Sequence, residues 1–189
     1  MRNRSVSLAC FLAWALSGCA VVHWSEPPPG PAFASVQQTL PAVPPGKGRV
    51  FIFRQSAYAG SRMEISIALS GKPIGTSYDG SILYADLDPG HADLILSNPS
   101  PISIGHATVP LDVAAGETRF VELFVPETEL PLTGGGLATL PGGKPVDSEA
   151  EAHCGIEICG RVVRDNEAAP VVGKLTLEAS TEAPGAAAR

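Results

Sequence analysis

Residues 48–54, Gly48-Arg49-Val50-Phe51-Ile52-Phe53-Arg54, form an apolar run of strand length near the first third of the chain. Its four central residues are all apolar, so polar side chains do not alternate with apolar ones along it. We therefore expect a strand that is buried on both faces. The proline-rich sequence before Gly48 lacks hydrophobic periodicity, and the folded part of the chain is predicted to begin at this run.

Further strand signals follow this run as far as Val125. Residues 63–69 alternate, with Met63, Ile65, Ile67 and Leu69 on one face, which is typical of a half-exposed strand. Turn residues recur at short intervals: Ser70-Gly71-Lys72-Pro73, Asp79-Gly80, Asp88-Pro89-Gly90 and Ala115-Gly116-Glu117.

These turns divide residues 48–125 into about seven short strands, and no helical periodicity interrupts them. Residues 82–87 and 91–97 are predicted to pair as one hairpin across Asp88-Pro89-Gly90. The fold class is therefore expected to be all-β. We predict a small antiparallel β-sandwich, Ig-like or transthyretin-like, with disordered flanks and a short C-terminal hairpin.

The amino terminus has the pattern of an export signal. Arg2 and Arg4 precede an apolar stretch from Val6 to Leu16, which at about 11 residues is too short to span a bilayer as a helix. The next residues, Leu16-Ser17-Gly18-Cys19, resemble the lipobox of bacterial lipoproteins. The resemblance implies cleavage before Cys19 and a lipid anchor, with diacylglycerol and palmitate, on this cysteine. Ala20 in place of an aspartate favours the outer membrane, on its periplasmic face.

Composition shifts along the rest of the chain suggest its organisation. Residues 158–163 and 171–177 are apolar enough for two late strands, which would form a hairpin or extend an edge of the main sheet. The predicted segments are a signal peptide (1–18), a Pro-rich tether (19–47), the β-sandwich (48–125), a Gly/Pro linker (126–147), a C-terminal extension with a disulfide (148–178) and a disordered tail (179–189).

The charge of the chain excludes one class of partner. Loss of Arg2 and Arg4 with the signal peptide leaves 11 basic against 19 acidic residues, a net charge of −8. Nucleic-acid binding requires basic patches, so we expect no nucleic-acid partner. A net negative chain also gains no attraction from anionic lipid. Membrane association is therefore expected to depend on the lipid attached to Cys19.

Cys154 and Cys159 are the two cysteines left for pairing in the exported chain. The exported side of a bacterial membrane is oxidising, which favours a short-loop disulfide between them. The alternative is a metal site in which His153, Cys154 and Cys159 are ligands, and this needs reduced thiols and a fourth ligand. A redox couple would usually have two intervening residues, whereas this pair has four.

The other candidate binding residues each have an alternative, purely structural interpretation. Asp86 and Asp88, with Asp79 or Asp93, could hold Ca²⁺ or could be turn residues. Tyr58, Tyr78 and Tyr84 could form a platform that stacks on sugars, or could lie in the core. The histidines are scattered through the sequence at His23, His91, His106 and His153.

Catalytic motifs are missing from the sequence. It contains no Gly-x-Ser-x-Gly elbow, no His-Glu-x-x-His and no phosphate-binding glycine loop. We therefore expect no enzyme activity, no cofactor and no bound metal.

Residues 48–125 are similar to a family of uncharacterised bacterial lipoprotein domains, domain of unknown function 2846. The similarity lies in the opening Gly48–Arg54 run, the Leu69–Gly75 hairpin, the Leu87–His91 turn and the closing Ala114–Phe120 segment. It implies a β-sandwich on a lipoprotein and carries no activity with it. The expected function is a non-catalytic interaction or assembly module of the cell envelope, with an envelope protein as partner. The alternative is a module that binds a glycan or a peptide.

Overall fold

Two β-sheets face each other across an apolar core in the computed structural model, which describes residues 30–57, 63–99, 106–131, 137–140 and 145–178. The two helices are α1 (Phe33–Val36), which continues into a 3₁₀ turn (Gln37–Thr39), and α2 (Asp165–Val172). The described strands are β1 (Gly48–Arg54), β2 (Ile65–Leu69), β3 (Lys72–Ser77), β4 (Ser81–Leu87), β5 (Gly90–Ser97), β6 (His106–Val113), β7 (Thr118–Phe124), β8 (Thr128–Pro131), β9 (Leu137–Leu140), β10 (His153–Cys154), β11 (Cys159–Val163) and β12 (Thr176–Leu177).

The larger sheet has six strands in the order β10-β11-β7-β1-β4-β12, and the smaller has four in the order β3-β2-β5-β6. Strands β8 and β9 form a separate hairpin. The predicted all-β sandwich is therefore confirmed. Most of the described strand pairs are antiparallel, as expected, but β1 runs parallel to β7 and β4 runs parallel to β12.

Strand β1 lies in the interior of the six-stranded sheet, and all seven of its residues are buried. Val50 and Ile52 point into the core between the two sheets, whereas Phe51 and Phe53 point to the opposite face. The prediction that this strand is buried on both faces is confirmed. Alternate side chains of β1 therefore belong to two separate apolar clusters, one on each face of the sheet.

The first cluster fills the space between the sheets and is built from aliphatic side chains of both. The four-stranded sheet supplies the alternating inward residues that the sequence pattern predicts for Ile65, Ile67 and Leu69. The remaining inward residues of that sheet are Ile74, Ala92, Leu94, Leu96, Ala107, Val109, Leu111 and Val113.

The second cluster covers the outer face of the six-stranded sheet and makes a third layer. Phe51 packs edge-on against Phe33 of α1 and stacks on Phe120 of β7, with ring centroids 5.2 Å apart in both pairs. Helix α2 adds Ala168 and Val172 to the same cluster. Only the six-stranded sheet carries such a layer among the described residues.

This third layer corrects the predicted tether of residues 19–47. Phe33 is fully buried, and its backbone N–H donates to the carbonyl of Leu175 at 2.7 Å. Ala32 forms an isolated β-bridge with Thr176. Residues 30–47 are therefore part of the folded structure, because an apolar ring in a proline-rich segment has an apolar sheet face to cover. Residues 1–29, including the predicted signal peptide and Cys19, lie outside the described residues, as does the predicted tail at 179–189.

The turn at Asp88-Pro89-Gly90 is a second correction. It was expected to join two paired strands, but β4 belongs to the six-stranded sheet and β5 to the four-stranded sheet. The chain thus crosses between the sheets at this turn, where Gly90 has φ of 133°. Alternating apolar residues face the same core whether two strands pair or pack face to face, so the sequence pattern does not separate the two arrangements.

The β2–β3 hairpin has the connection that the sequence predicts. Ser70 and Gly71 both have positive φ, at 48° and 81°, which is the geometry of a two-residue turn that matches the twist of the strands. Pro73 lies on β3 and Pro110 on β6, the two edge strands of the four-stranded sheet. Proline lacks a backbone donor, so it hinders further strands from pairing with these edges.

The C-terminal part of the chain completes the six-stranded sheet instead of standing apart. Strand β11 pairs with β7, and β12 pairs with β4. The predicted linker at 126–147 contains the β8–β9 hairpin. The two late strands predicted at residues 158–163 and 171–177 do not pair with each other as a hairpin; they extend the main sheet, which was the alternative, and β11 forms its hairpin with β10 instead.

The strand predicted at residues 171–177 is wrong for most of its length. Helix α2 continues to Val172, and only Thr176 and Leu177 are in a strand. Ala168, Val172 and Leu175 are spaced four and three residues apart, so they share one helical face and its continuation, which packs onto the outer cluster.

We predict that Phe53→Ala lowers the free energy of unfolding by about 3 to 5 kcal/mol, because it leaves a cavity in a fully buried site. Urea denaturation followed by circular dichroism would measure the change. Ile95→Ala is the matched control, since Ile95 is half-buried on the uncovered face of the four-stranded sheet, and it should cost about 1 kcal/mol or less. Equal losses in the two variants would contradict the assigned role of β1.

Candidate functional site

The loop closed by Cys154 and Cys159 is the strongest candidate site in the described structure. The two cysteines are direct partners in the β10–β11 pair, and their sulfur atoms are bonded. The predicted disulfide is therefore present. It removes the two thiolates that the alternative metal site would need, and His153 beside it is half-buried.

This loop is held to the body of the sandwich at several points. Ile158 is 2% exposed and inserts into the core between the sheets. The N–H of Gly155 donates to the carbonyl of Ile158 at 2.8 Å, which closes a tight turn. A Cβ at Gly155 would lie 2.5 Å from the carbonyl oxygen of His106, so the backbone of the loop rests directly on the start of β6.

Ile156 lies at the tip of this anchored loop and points outward. Its exposed fraction is 66%, and among the described residues it is the large hydrophobic side chain with high exposure. The side chain of Glu157 beside it accepts a hydrogen bond from Asn98 Nδ2 at 3.1 Å. A fixed loop thus presents one apolar side chain to solvent.

The surface before this loop is acidic. Asp147, Glu149 and Glu151 are exposed, and the sequence from Pro145 to Gly160 contains no lysine or arginine. Two basic residues flank this stretch in the sequence: Lys144, which lies outside the described residues, and Arg161, which is buried and paired internally.

A buried ion pair fixes the acidic segment to the sheet. Arg161 of β11 and Glu122 of β7 are cross-strand neighbours, with Nη2 and Oε2 3.0 Å apart and side chains that are 8% and 1% exposed. The N–H of Val146 donates to Glu122 Oε1 at 2.9 Å, and Arg161 donates to the carbonyls of Val146 and Ser148. Every contact in this network is internal, so we interpret it as structural.

The aspartates that were considered as calcium ligands each interact with a different partner. Asp86 accepts two hydrogen bonds from Arg49, at 2.6 and 2.8 Å, in a bidentate pair. Asp79 accepts from the N–H of Ala57 at 3.0 Å. Asp88 lies 3.5 Å from Lys47 on the surface. No three His, Cys, Asp or Glu side chains of the described residues are grouped as metal ligands would be.

The tyrosines do not form a shared platform in the described structure. Tyr84 lies under the guanidinium of Arg49, 4.4 Å from ring centroid to Cζ, on the outer face of the six-stranded sheet. Tyr78 follows β3 at a different place, where the chain turns into β4. Tyr58 lies outside the described residues.

The histidines are likewise separate from one another. His91 Nδ1 lies 3.2 Å from Asp112 Oδ1 on the exposed face of the four-stranded sheet. His106 begins β6 at the far end of the same β5–β6 pair. His23 lies outside the described residues.

Glu178 is a buried acid that the sequence analysis did not single out. It is 7% exposed and follows β12, and its Oε1 has no hydrogen-bonding partner among the described residues. Desolvation raises the pKa of this carboxyl to about 7. Burial, together with Glu64 and Glu178, raises the pKa of Tyr78. No pattern in the sequence predicts that Glu178 is buried, because the tail that follows it has no apolar periodicity.

Comparison with known proteins adds no further assignment. No family model, curated protein or solved structure matches the chain. Within the described ranges, no helix combines the length and the apolar character needed to cross a bilayer. The predicted lipidation motif, Leu16, Ser17, Gly18 and Cys19, lies outside the described residues.

We predict that replacing both Cys154 and Cys159 by serine lowers the free energy of unfolding by about 2 kcal/mol, because a short closed loop restricts the unfolded chain. Thermal and urea unfolding would measure the loss. Treatment of the wild type with a reductant should produce the same loss and leave the double variant unchanged. A reductant effect on the double variant would contradict this assignment.

Glu178 should make stability depend on pH. Its carboxyl binds a proton more tightly in the folded state, with a pKa of about 7, than in the unfolded state, near 4.5. The resulting stabilisation is complete below the unfolded pKa and is lost as pH rises through about 7. Glu178→Gln should therefore raise the free energy of unfolding at pH 8 by about 1 to 3 kcal/mol.

At pH 4.5 the same variant should differ little from the wild type, because Glu178 is then protonated in the folded protein. Glu149→Gln, which changes an exposed acid, is the matched control and should leave the pH profile unchanged. Parallel urea titrations at the two pH values would measure both variants. Identical wild-type and Glu178→Gln profiles would contradict the buried position of this carboxyl.

Proposed function

We propose that this chain is a lipid-anchored lipoprotein of the bacterial cell envelope whose β-sandwich acts as a non-catalytic interaction or assembly module. The observation that carries the anchor is the order of Arg2 and Arg4, the apolar stretch from Val6 to Leu16, and Leu16-Ser17-Gly18-Cys19. The lipid, including palmitate, is attached to Cys19. The periplasmic face of the outer membrane is the proposed location.

The length of the link to the membrane supports a role close to the lipid surface. The described structure begins at Gly30, whose neighbour Pro31 accepts a hydrogen bond from the N–H of Leu177 at 3.0 Å. Residues 20–29 lie between Cys19 and this segment. Ten residues extend over at most about 35 Å. A partner must therefore lie within a short distance of the membrane, or reach towards it.

The sandwich itself supports a binding role more than a catalytic one. Four of the ionisable side chains buried in the described core are engaged in ion pairs that tie neighbouring segments together: Arg49, Arg54, Glu122 and Arg161. Glu178 is the exception among the described residues, since one of its carboxylate oxygens has no hydrogen-bonding partner. The outward-facing side chains of β5 and β6 are exposed or half-buried, whereas both faces of the six-stranded sheet contribute to apolar clusters. The similarity of residues 48–125 to the uncharacterised lipoprotein domains stays a prediction that agrees with this proposal.

Cys19→Ala should abolish labelling by radioactive palmitate, because it removes the residue that carries the lipid. Metabolic labelling would measure the effect. Cys10→Ala is the matched control, since Cys10 lies within the apolar stretch and should leave labelling unchanged. Undiminished labelling of Cys19→Ala would refute the anchor.

A further inference from the structure

We propose that the loop from Cys154 to Cys159 is the docking point for a protein partner, which receives Ile156 in an apolar pocket with lysine or arginine side chains at its rim. This inference rests on the proposed interaction module, and it names the surface and the chemistry of the partner. Its basis is an exposed hydrophobic side chain that is held in a fixed position and follows an exposed acidic segment of the chain.

The fixed position follows from contacts on each side of Ile156. The disulfide joins the two ends of the loop, and Ile158 is anchored in the core between the sheets. Gly155 rests on the backbone of β6 at His106, and the side chain of Glu157 is bonded to Asn98.

A side chain that is held in position before binding loses little conformational entropy when it binds a partner. Association loses conformational entropy when flexible side chains and loops become ordered, and a loop that is ordered beforehand avoids much of this loss. Burial of an apolar side chain favours association roughly in proportion to the apolar area that is removed from water. Ile156 is 66% exposed in the free protein, so most of this contribution is still available to a partner.

The charge around the loop selects the kind of partner. Asp147, Glu149 and Glu151 are exposed in the segment that leads to the disulfide, and no lysine or arginine lies between Lys144 and Arg161. An anionic lipid surface would be repelled by this segment, and so would the same segment of a second copy of the chain. A protein pocket with basic residues at its rim complements both the charge and the apolar tip.

Selection from a random 12-residue peptide library displayed on phage tests the inference, with the detergent-solubilised full-length protein as the target. The selected peptides should combine apolar residues with lysine or arginine, and their affinity should fall as salt concentration rises. Ile156→Ser should raise the Kd of these peptides at least tenfold. Because Ile156 is exposed, this variant should keep the thermal unfolding midpoint of the wild type.

Ile95→Ser is the matched control, because Ile95 lies on the uncovered face of the four-stranded sheet. It should change the Kd less than twofold. The inference is overturned if no peptide is enriched, if the enriched peptides lack basic residues, or if Ile156→Ser leaves their Kd unchanged. Peptides that lose affinity only in Ile95→Ser would overturn the loop assignment and leave an interaction module in place.

Two other occupants of the loop are distinguishable by direct measurement. Vesicles of phosphatidylglycerol should bind the Cys19→Ala protein no better than vesicles of phosphatidylcholine, and sedimentation should show no dimer that Ile156→Ser dissociates. Vesicle binding or dimer formation that depends on Ile156 would assign the loop to lipid or to a second copy, and would overturn a protein partner. The palmitate labelling of Cys19 is independent of all these outcomes.

Discussion

Burial of β1 on both faces is the constraint on which the rest of the fold depends. Val50 and Ile52 require a second sheet, whereas Phe51 and Phe53 require a separate cover on the outer face. The first requirement is met by a four-stranded antiparallel sheet. The second draws in segments from both ends of the described chain, since α1 precedes β1 and α2 follows β11.

Buried charges hold these outer segments in register with the sheet. Arg49 forms its bidentate pair with Asp86 and also donates to the carbonyl of Pro41, so one guanidinium fixes the segment before β1. Glu122 and Arg161 do the same for the segment that contains Val146. A buried charge needs a partner, and removal of either member of such a pair would leave the other uncompensated. The ion pairs therefore specify where the covering segments lie.

The same arrangement bears on the relation between the proposed lipid anchor and the proposed docking loop. Phe33 and Leu40 pack on the outer face of the six-stranded sheet, so part of the predicted tether belongs to the folded structure. The acidic segment is tied down by Glu122 and Arg161, and the loop behind it is closed by a disulfide. Ile156 is thus displayed from a part of the molecule with little freedom, which favours recognition by a preorganised surface.

The sequence by itself determined the strands with clear periodicity, the Ser70-Gly71 hairpin, the double burial of β1 and the Cys154–Cys159 pairing, because each depends on local pattern or on the count of available cysteines. It also supplies the whole argument for lipid on Cys19. Only the tertiary structure decided that Asp88-Pro89-Gly90 crosses between sheets, that β1 and β7 are parallel, that Phe33 covers the outer face, and that Ile158 is buried while Ile156 is exposed. These features depend on which distant segment packs against which face. The alternation of apolar and polar residues along a strand is the same whichever distant segment packs against it, so the sequence pattern does not distinguish these arrangements.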